Sequence, residues 1–191
     1  MKVHQVVGIA LMALAAGLAG GLLLAGRPVE GARFPGSGGG VYLGKPGAPQ
    51  VMIEVFALDC PHCQRFHEAG ADLIREKVGN GALVYYPRPV FLSREVRPLT
   101  EAFLCVAAEA PAQAFDFLDA AYARVKVGEF AVPELPQSAR ACLDSGRGER
   151  MARRALVWAQ AVGVEATPTF WIDGKRFVGA IPREKLAGLL K

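Results

Sequence analysis

The chain has 191 residues, enough for one substantial core or one domain carrying an insertion. Its formal charge is only +4, from 22 basic against 18 acidic side chains, and no basic run is interleaved with aromatics, which argues against nucleic-acid binding. Arg147, Arg150, Arg153 and Arg154 come nearest, but they alternate with Met151, Ala155, Trp158, Ala159 and Val162 and read as the solvated face of an amphipathic helix.

Lys2 and His4 precede an uncharged run over residues 6–26, about 31 Å long as a helix and without a polar face. Residues 1–26 therefore read as a signal peptide or an uncleaved membrane anchor. The length of the run and the lack of an A-x-A site before Arg27 favour the anchor. Residues 27–40, rich in Gly, Pro and Ser, read as a flexible linker, and the globular domain is expected over 41–191.

Tyr42-Leu43-Gly44 reads as a short strand and residues 46–49 as a turn. Residues 51–57 form an apolar, β-prone run, and 60–78 place Phe66, Ala69, Leu73, Ile74 and Val78 on one side of a helix. Gly79-Asn80-Gly81 ends that helix, and 82–87 reads as a second strand. Strand, helix and strand at this spacing predict a βαβ unit with parallel strands. Helical spacing then runs over 95–110, 112–125, 135–145 and 147–162, punctuated by Pro111, Pro133 and Gly146. Residues 169–172 and 176–179 flank Asp173-Gly174-Lys175, a strong hairpin signal, and Pro182 opens a last helix to Leu190. The fold class is α/β.

The chemistry-bearing stretch lies between the first strand and the first helix. Pro61 suits the opening turn of a helix, so Cys60 is expected at the helix N-terminus and Cys63 one turn inside it. The positive end of the helix and its unpaired N–H donors favour a thiolate at Cys60. Asp59 opposes this. At ~6 Å and an effective dielectric of ~40, its charge would disfavour the thiolate by roughly 1.4 kcal/mol, about one pKa unit.

Cys60-Pro61-His62-Cys63 after an apolar strand, with Glu54 six residues upstream and Thr167-Pro168 before a later strand, resembles the DsbA-like branch of the thioredoxin superfamily. The resemblance covers about 41–191. It implies a thioredoxin fold with a helical domain of about 93–162 inserted, preceded by the N-terminal apolar helix. It also implies a cis peptide bond at Pro168.

On this resemblance Cys60 is the nucleophile, passing through a mixed disulfide, and Cys63 resolves it. His62 is expected to donate a hydrogen bond or supply charge to the Cys60 sulfur. Glu54 would point inward near Cys63, with a raised pKa, and take the proton from Cys63 as it attacks; the bland alternative is a strand-edge glutamate facing water. Thr167 and Pro168 would face Cys60 and offer backbone groups to an extended substrate. The cysteine pair is expected to be exposed rather than protected. His67 reads as facing solvent or making capping contacts.

Cys105 and Cys142 lie in two helices of the insertion. In an oxidising compartment such a pair is usually joined, and similar insertions in the family carry a bridge; separate buried thiols and a second redox site are the alternatives. No cofactor and no metal are expected. Gln64 after Cys63 excludes covalent haem attachment, and Cys60, Cys63 and His67 lack a fourth ligand for zinc or copper.

The expected function is an extracytoplasmic thiol–disulfide oxidoreductase that forms disulfides in exported proteins. It would sit on the periplasmic side, anchored to the cytoplasmic membrane or secreted in soluble form. Its partners would be exported substrates and a membrane reoxidant of the DsbB-like or VKOR-like kind. A tethered reductase or isomerase is the rival within the enzymes, and a thiol-based metallochaperone or assembly factor the rival outside them. Family isomerases carry an N-terminal dimerisation domain; the short tether here points towards a monomer.

Overall fold

A computed structural model of the chain describes residues 40–191. The readings for the apolar segment 1–26 and, apart from Gly40, for the linker 27–40 lie outside the described residues. No helix among the described residues is long and apolar enough to cross a membrane.

Strand β1 (Gln50–Ala57) leads into helix α1 (Pro61–Gly79), which returns to strand β2 (Leu83–Val90). The two strands pair in parallel, from Gln50 opposite Leu83 to Ala57 opposite Val90, as the spacing requires. The β2 strand runs three residues beyond the expected Pro87. Pro87 and Pro89 are tolerated because β2 is the edge strand, and among the described residues its outer side is bridged at Tyr85 alone, so neither missing N–H leaves a ladder bond unmade. Residues 42–44 make a single antiparallel bridge, Leu43 to Tyr85, rather than a strand.

Helices α2 (Arg97–Glu109), α3 (Ala114–Lys126), α4 (Gln137–Asp144) and α5 (Arg147–Ala161) follow, with a short 3-10 turn at Pro111–Gln113 opening α3. The chain then re-enters the sheet as β3 (Thr169–Ile172) and β4 (Lys175–Val178) and closes with α6 (Arg183–Leu189). The β3 strand lies antiparallel to β1, with Val55 opposite Thr169, giving the order β2-β1-β3-β4. Asp173 at φ 47 and Gly174 at φ 80 supply the two left-handed residues of the β3–β4 turn, the conformation that an Asp-Gly pair allows.

The inserted helices share the core of the sheet. Phe56 of β1 meets Phe103 of α2 edge-on at 5.9 Å and Tyr122 of α3 at 6.4 Å. Phe56 and Phe103 are almost wholly buried, and each such side chain contributes roughly 1.5–3 kcal/mol by leaving water. On the same face, where Phe170 stands opposite Glu54, Phe66 of α1 packs on Phe170 of β3 at 4.5 Å. This face of β1 and β3 is thus held against α1, α2 and α3, which fixes where the C-terminal end of β1 delivers Cys60.

Candidate functional site

Cys60 is the N-cap of α1, with extended backbone (φ −97, ψ 117), and Pro61 follows in the first turn. The Cys60 carbonyl accepts the first helical bond from Gln64 N–H at 3.0 Å. The Cys60 sulfur therefore sits over the open end of a 19-residue helix, where the leading N–H groups lack intrahelical partners. From the other side comes Thr167-Pro168, joined by a cis peptide bond, with the Thr167 carbonyl oxygen 3.3 Å from the Cys60 sulfur. This loop covers the thiol: Cys60 is only 5 % exposed and Cys63 fully buried, against the expectation of an exposed pair.

Burial pushes the Cys60 thiol up, but four hydrogen-bonding effects pull it down: the Thr167 side chain, the backbone and thiol of Cys63, and the backbone N–H of His62. The net displacement is downward. Thr167 acts in both directions. Its carbonyl can only accept, so it holds the protonated thiol, whereas its side chain favours the thiolate. The donors win, as the helix-end argument expects.

Cys63 behaves oppositely. Burial drives its thiol far above the ordinary range, against a lowering contact at the Ala57 backbone, and the Glu54 carboxylate and Cys60 add to the rise. Both cysteines are free thiols here. Glu54 is 5 % exposed, and burial raises its pKa to about 7, a hydrogen bond from Tyr85 partly offsetting the rise. Tyr85 donates that bond to Oε2 at 2.6 Å. Glu54 does point inward, and it acts electrostatically on Cys63. Tyr122 of α3 is a further member of this buried group: after burial, Glu54, Cys63 and Cys60 in turn raise its phenol.

Two neighbours of Cys60 turn their side chains elsewhere. The His62 ring is engaged by Arg65, whose Nη2 lies 2.8 Å from Nδ1, and His62 acts on the Cys60 sulfur through its backbone N–H. The spacing of three residues along the helix brings Arg65 alongside. The Asp59 carboxylate is turned to the loop after β2, where it accepts the backbone N–H of Leu92 at 3.2 Å and of Ser93 at 2.7 Å. These bonds hold the carboxylate in place, and its charge is among those that raise the Tyr122 phenol. His67 makes contacts with the insertion: it pairs with Asp119 of α3 at 2.6 Å and packs on Tyr122.

Tyr85, Tyr122 and Arg65 are absent from the sequence reading. Arg65 was open to the i, i+3 rule; the two tyrosines come from other elements and carried no local signal. Cys105 of α2 and Cys142 of α4 are joined by a disulfide across 37 residues of sequence, the first of the alternatives left open above. Among the described residues no cluster of three or more His, Cys, Asp or Glu side chains could hold a metal ion.

Residues 36–191 match the protein family described as thioredoxin, more than half of the chain. The chain belongs to the thioredoxin family. Among curated proteins no sequence matches significantly. Solved structures similar to this thioredoxin-family chain include alpha-DsbA1 of Wolbachia pipientis, 20% identical, with a TM-score of 0.64 over 88% of this chain and 92% of the other. Oxidised BdbD from Bacillus subtilis is 20% identical with a TM-score of 0.64, covering 80% and 91% of the two chains. The thiol-disulfide oxidoreductase MdbA from Actinomyces oris is 19% identical with a TM-score of 0.60, covering 76% and 81%. At such identities the likeness is one of fold, and it is the expected one: a thioredoxin-like α/β fold with helices inserted, of the DsbA type.

Proposed function

We propose that this protein is an extracytoplasmic protein disulfide oxidoreductase that passes the Cys60–Cys63 disulfide to exported proteins. The observation that carries the reading is the opposite displacement of two thiols at one helix end, Cys60 down and Cys63 up. A stabilised Cys60 thiolate favours the reduced pair and so makes the disulfide an oxidant.

In the forward direction a substrate thiolate attacks the Cys60 sulfur, a mixed disulfide forms, and Cys63 leaves as a thiolate. Cys63 holds its proton tightly, so it is a poor leaving group unless protonated as it departs. Glu54, with a pKa of about 7, is part-protonated at neutral pH and is the group placed to supply that proton. A second substrate thiolate then attacks its own mixed-disulfide sulfur and releases Cys60 as a thiolate. Two electrons pass from the substrate to the Cys60–Cys63 pair. Pro61 starts the helix that aims its N–H groups at Cys60, and Thr167-Pro168 presents the backbone on which an extended peptide lies.

On this reading the reduced pair is reoxidised by a membrane protein of the DsbB-like or VKOR-like kind, and the apolar segment over 1–26 keeps the domain near it. The domain works as a monomer. Equilibration against glutathione buffers, with partner trapping by Cys63→Ala, tests the proposal. A potential of about −120 to −200 mV, together with mixed disulfides to exported proteins, is expected. A potential near that of thioredoxin, ~−270 mV, would make it a reductase. Stoichiometric metal binding without mixed disulfides would make it a thiol-based carrier instead.

A further inference from the structure

Outside the thiol site lies a buried cation that has no anionic partner among the described residues. Arg88, on the edge strand β2, is 7 % exposed. Its guanidinium lies 5.6 Å from the ring centre of Tyr86 and 5.7 Å from that of Trp158 in α5, and Nη1 donates to the Val41 carbonyl at 3.3 Å. Among the described residues no carboxylate lies within ion-pair distance of it, whereas Arg75, Arg97, Arg124, Arg147, Arg153 and Arg183 each have one. Taking a charge from water is costly unless it is paired, and arginine keeps its charge when buried.

The same guanidinium lines a cavity of about 430 Å³ between β2 and α5, within the size range of small-molecule sites. Leu104, Met151, Ala155 and Trp158 make its apolar wall, and the exposed Arg153 and Arg154 stand at its edge. Among the described residues every fully enclosed side-chain nitrogen or oxygen has a hydrogen-bond partner. The guanidinium N–H groups that Val41 does not use are therefore accessible, and Arg88 lines this cavity beside Gly40, whose lack of a side chain leaves room for the guanidinium. The surroundings are apolar with one buried cation, and the other charged residues that line the cavity, Arg153 and Arg154, are also positive.

We propose that this cavity binds a small amphipathic carboxylate, its anionic head paired with Arg88 and its apolar body lying against Met151, Ala155 and Trp158. A planar carboxylate matches the guanidinium fork. Trp158, which also meets Trp171 edge-on at 5.6 Å, provides the optical signal.

Titration of the full-length protein with sodium phenylacetate, followed by tryptophan fluorescence and calorimetry, tests the site. Saturable one-to-one binding is expected, with the neutral phenylacetamide about tenfold weaker, the scale of one charge-assisted hydrogen bond. Arg88→Met should weaken phenylacetate by about tenfold or more. So should Val157→Glu, which sets a competing carboxylate at a position 57 % exposed on the cavity rim. Thiol–disulfide exchange should be unchanged in both. Should Arg88→Met fail to fold, the amide and Val157→Glu still decide. Equal affinity for acid and amide, or unsaturable binding, overturns the proposal.

Discussion

Thr167 holds the Cys60 sulfur through two groups with opposite preferences, so removing one of them has a definite sign. Thr167→Val deletes the hydroxyl and leaves the carbonyl that favours the protonated thiol. Cys60 should then titrate higher, by about one to two pKa units, the scale of one hydrogen bond to a charged group. The ultraviolet absorbance of the thiolate measures it directly, and the disulfide should become less oxidising in step. An unmoved titration would show that the N–H groups of α1 alone set the thiolate. Tyr85 works the same way one step deeper. It lowers Glu54 by donating at 2.6 Å, so Tyr85→Phe should raise that carboxyl further above 7, by roughly one unit. Carboxyl NMR titration reads the shift. The pH midpoint of disulfide transfer should move up with it if Glu54 supplies the proton.

At the scale of elements, what the sequence made legible was what repeats within one segment. The helix after Cys60 showed in its apolar spacing, the β3–β4 hairpin in Asp173-Gly174, and the parallel pairing of β1 and β2 in the length of the crossover. The site's depth was not legible, because it is made between segments: Tyr85 lies 31 residues from the Glu54 it binds, and Asp59 finds its donors at Leu92 and Ser93. The reading of β2 stopped at Pro87 because proline ends most strands; only the sheet order, known from the structure, shows that an edge strand can carry Pro87 and Pro89. The disulfide between α2 and α4 bridges elements in the same manner, and its effect is separable from the redox pair. Cys105→Ala with Cys142→Ala frees a loop of 37 residues, which costs about 4 kcal/mol in the chain-entropy account. Urea unfolding should show that loss while the glutathione equilibrium of Cys60 and Cys63 stays where it was. A change in that equilibrium would mean that the insertion and the thiol site are coupled.

For the whole molecule, the two displaced acids of the site make stability depend on pH and on redox state. Glu54 holds its proton to about pH 7 when folded, against 4.5 for the ordinary group. The folded state thus binds more protons across that window, and stability falls as pH rises through it, by roughly 3 kcal/mol. His67 runs the other way: burial lowers its pKa below 6.5, so the unfolded chain binds more protons there and stability rises with pH up to that value. Glu54→Gln removes the first contribution and leaves the second, so the difference between wild type and variant isolates the carboxyl. That difference should grow in the variant's favour from about pH 4.5 to pH 7. Cys60 titrates below the ordinary thiol value when folded, so the reduced protein gains stability as pH climbs from the folded Cys60 pKa to the free thiol value of ~8.5. Once Cys60 is joined to Cys63 it has no proton to lose, and the oxidised protein lacks that gain. Urea unfolding of both redox forms over this range should show the reduced form pulling ahead as pH rises. A gap that stays constant would remove the thiolate as the source of oxidising strength, and with it the direction of electron flow proposed for the site.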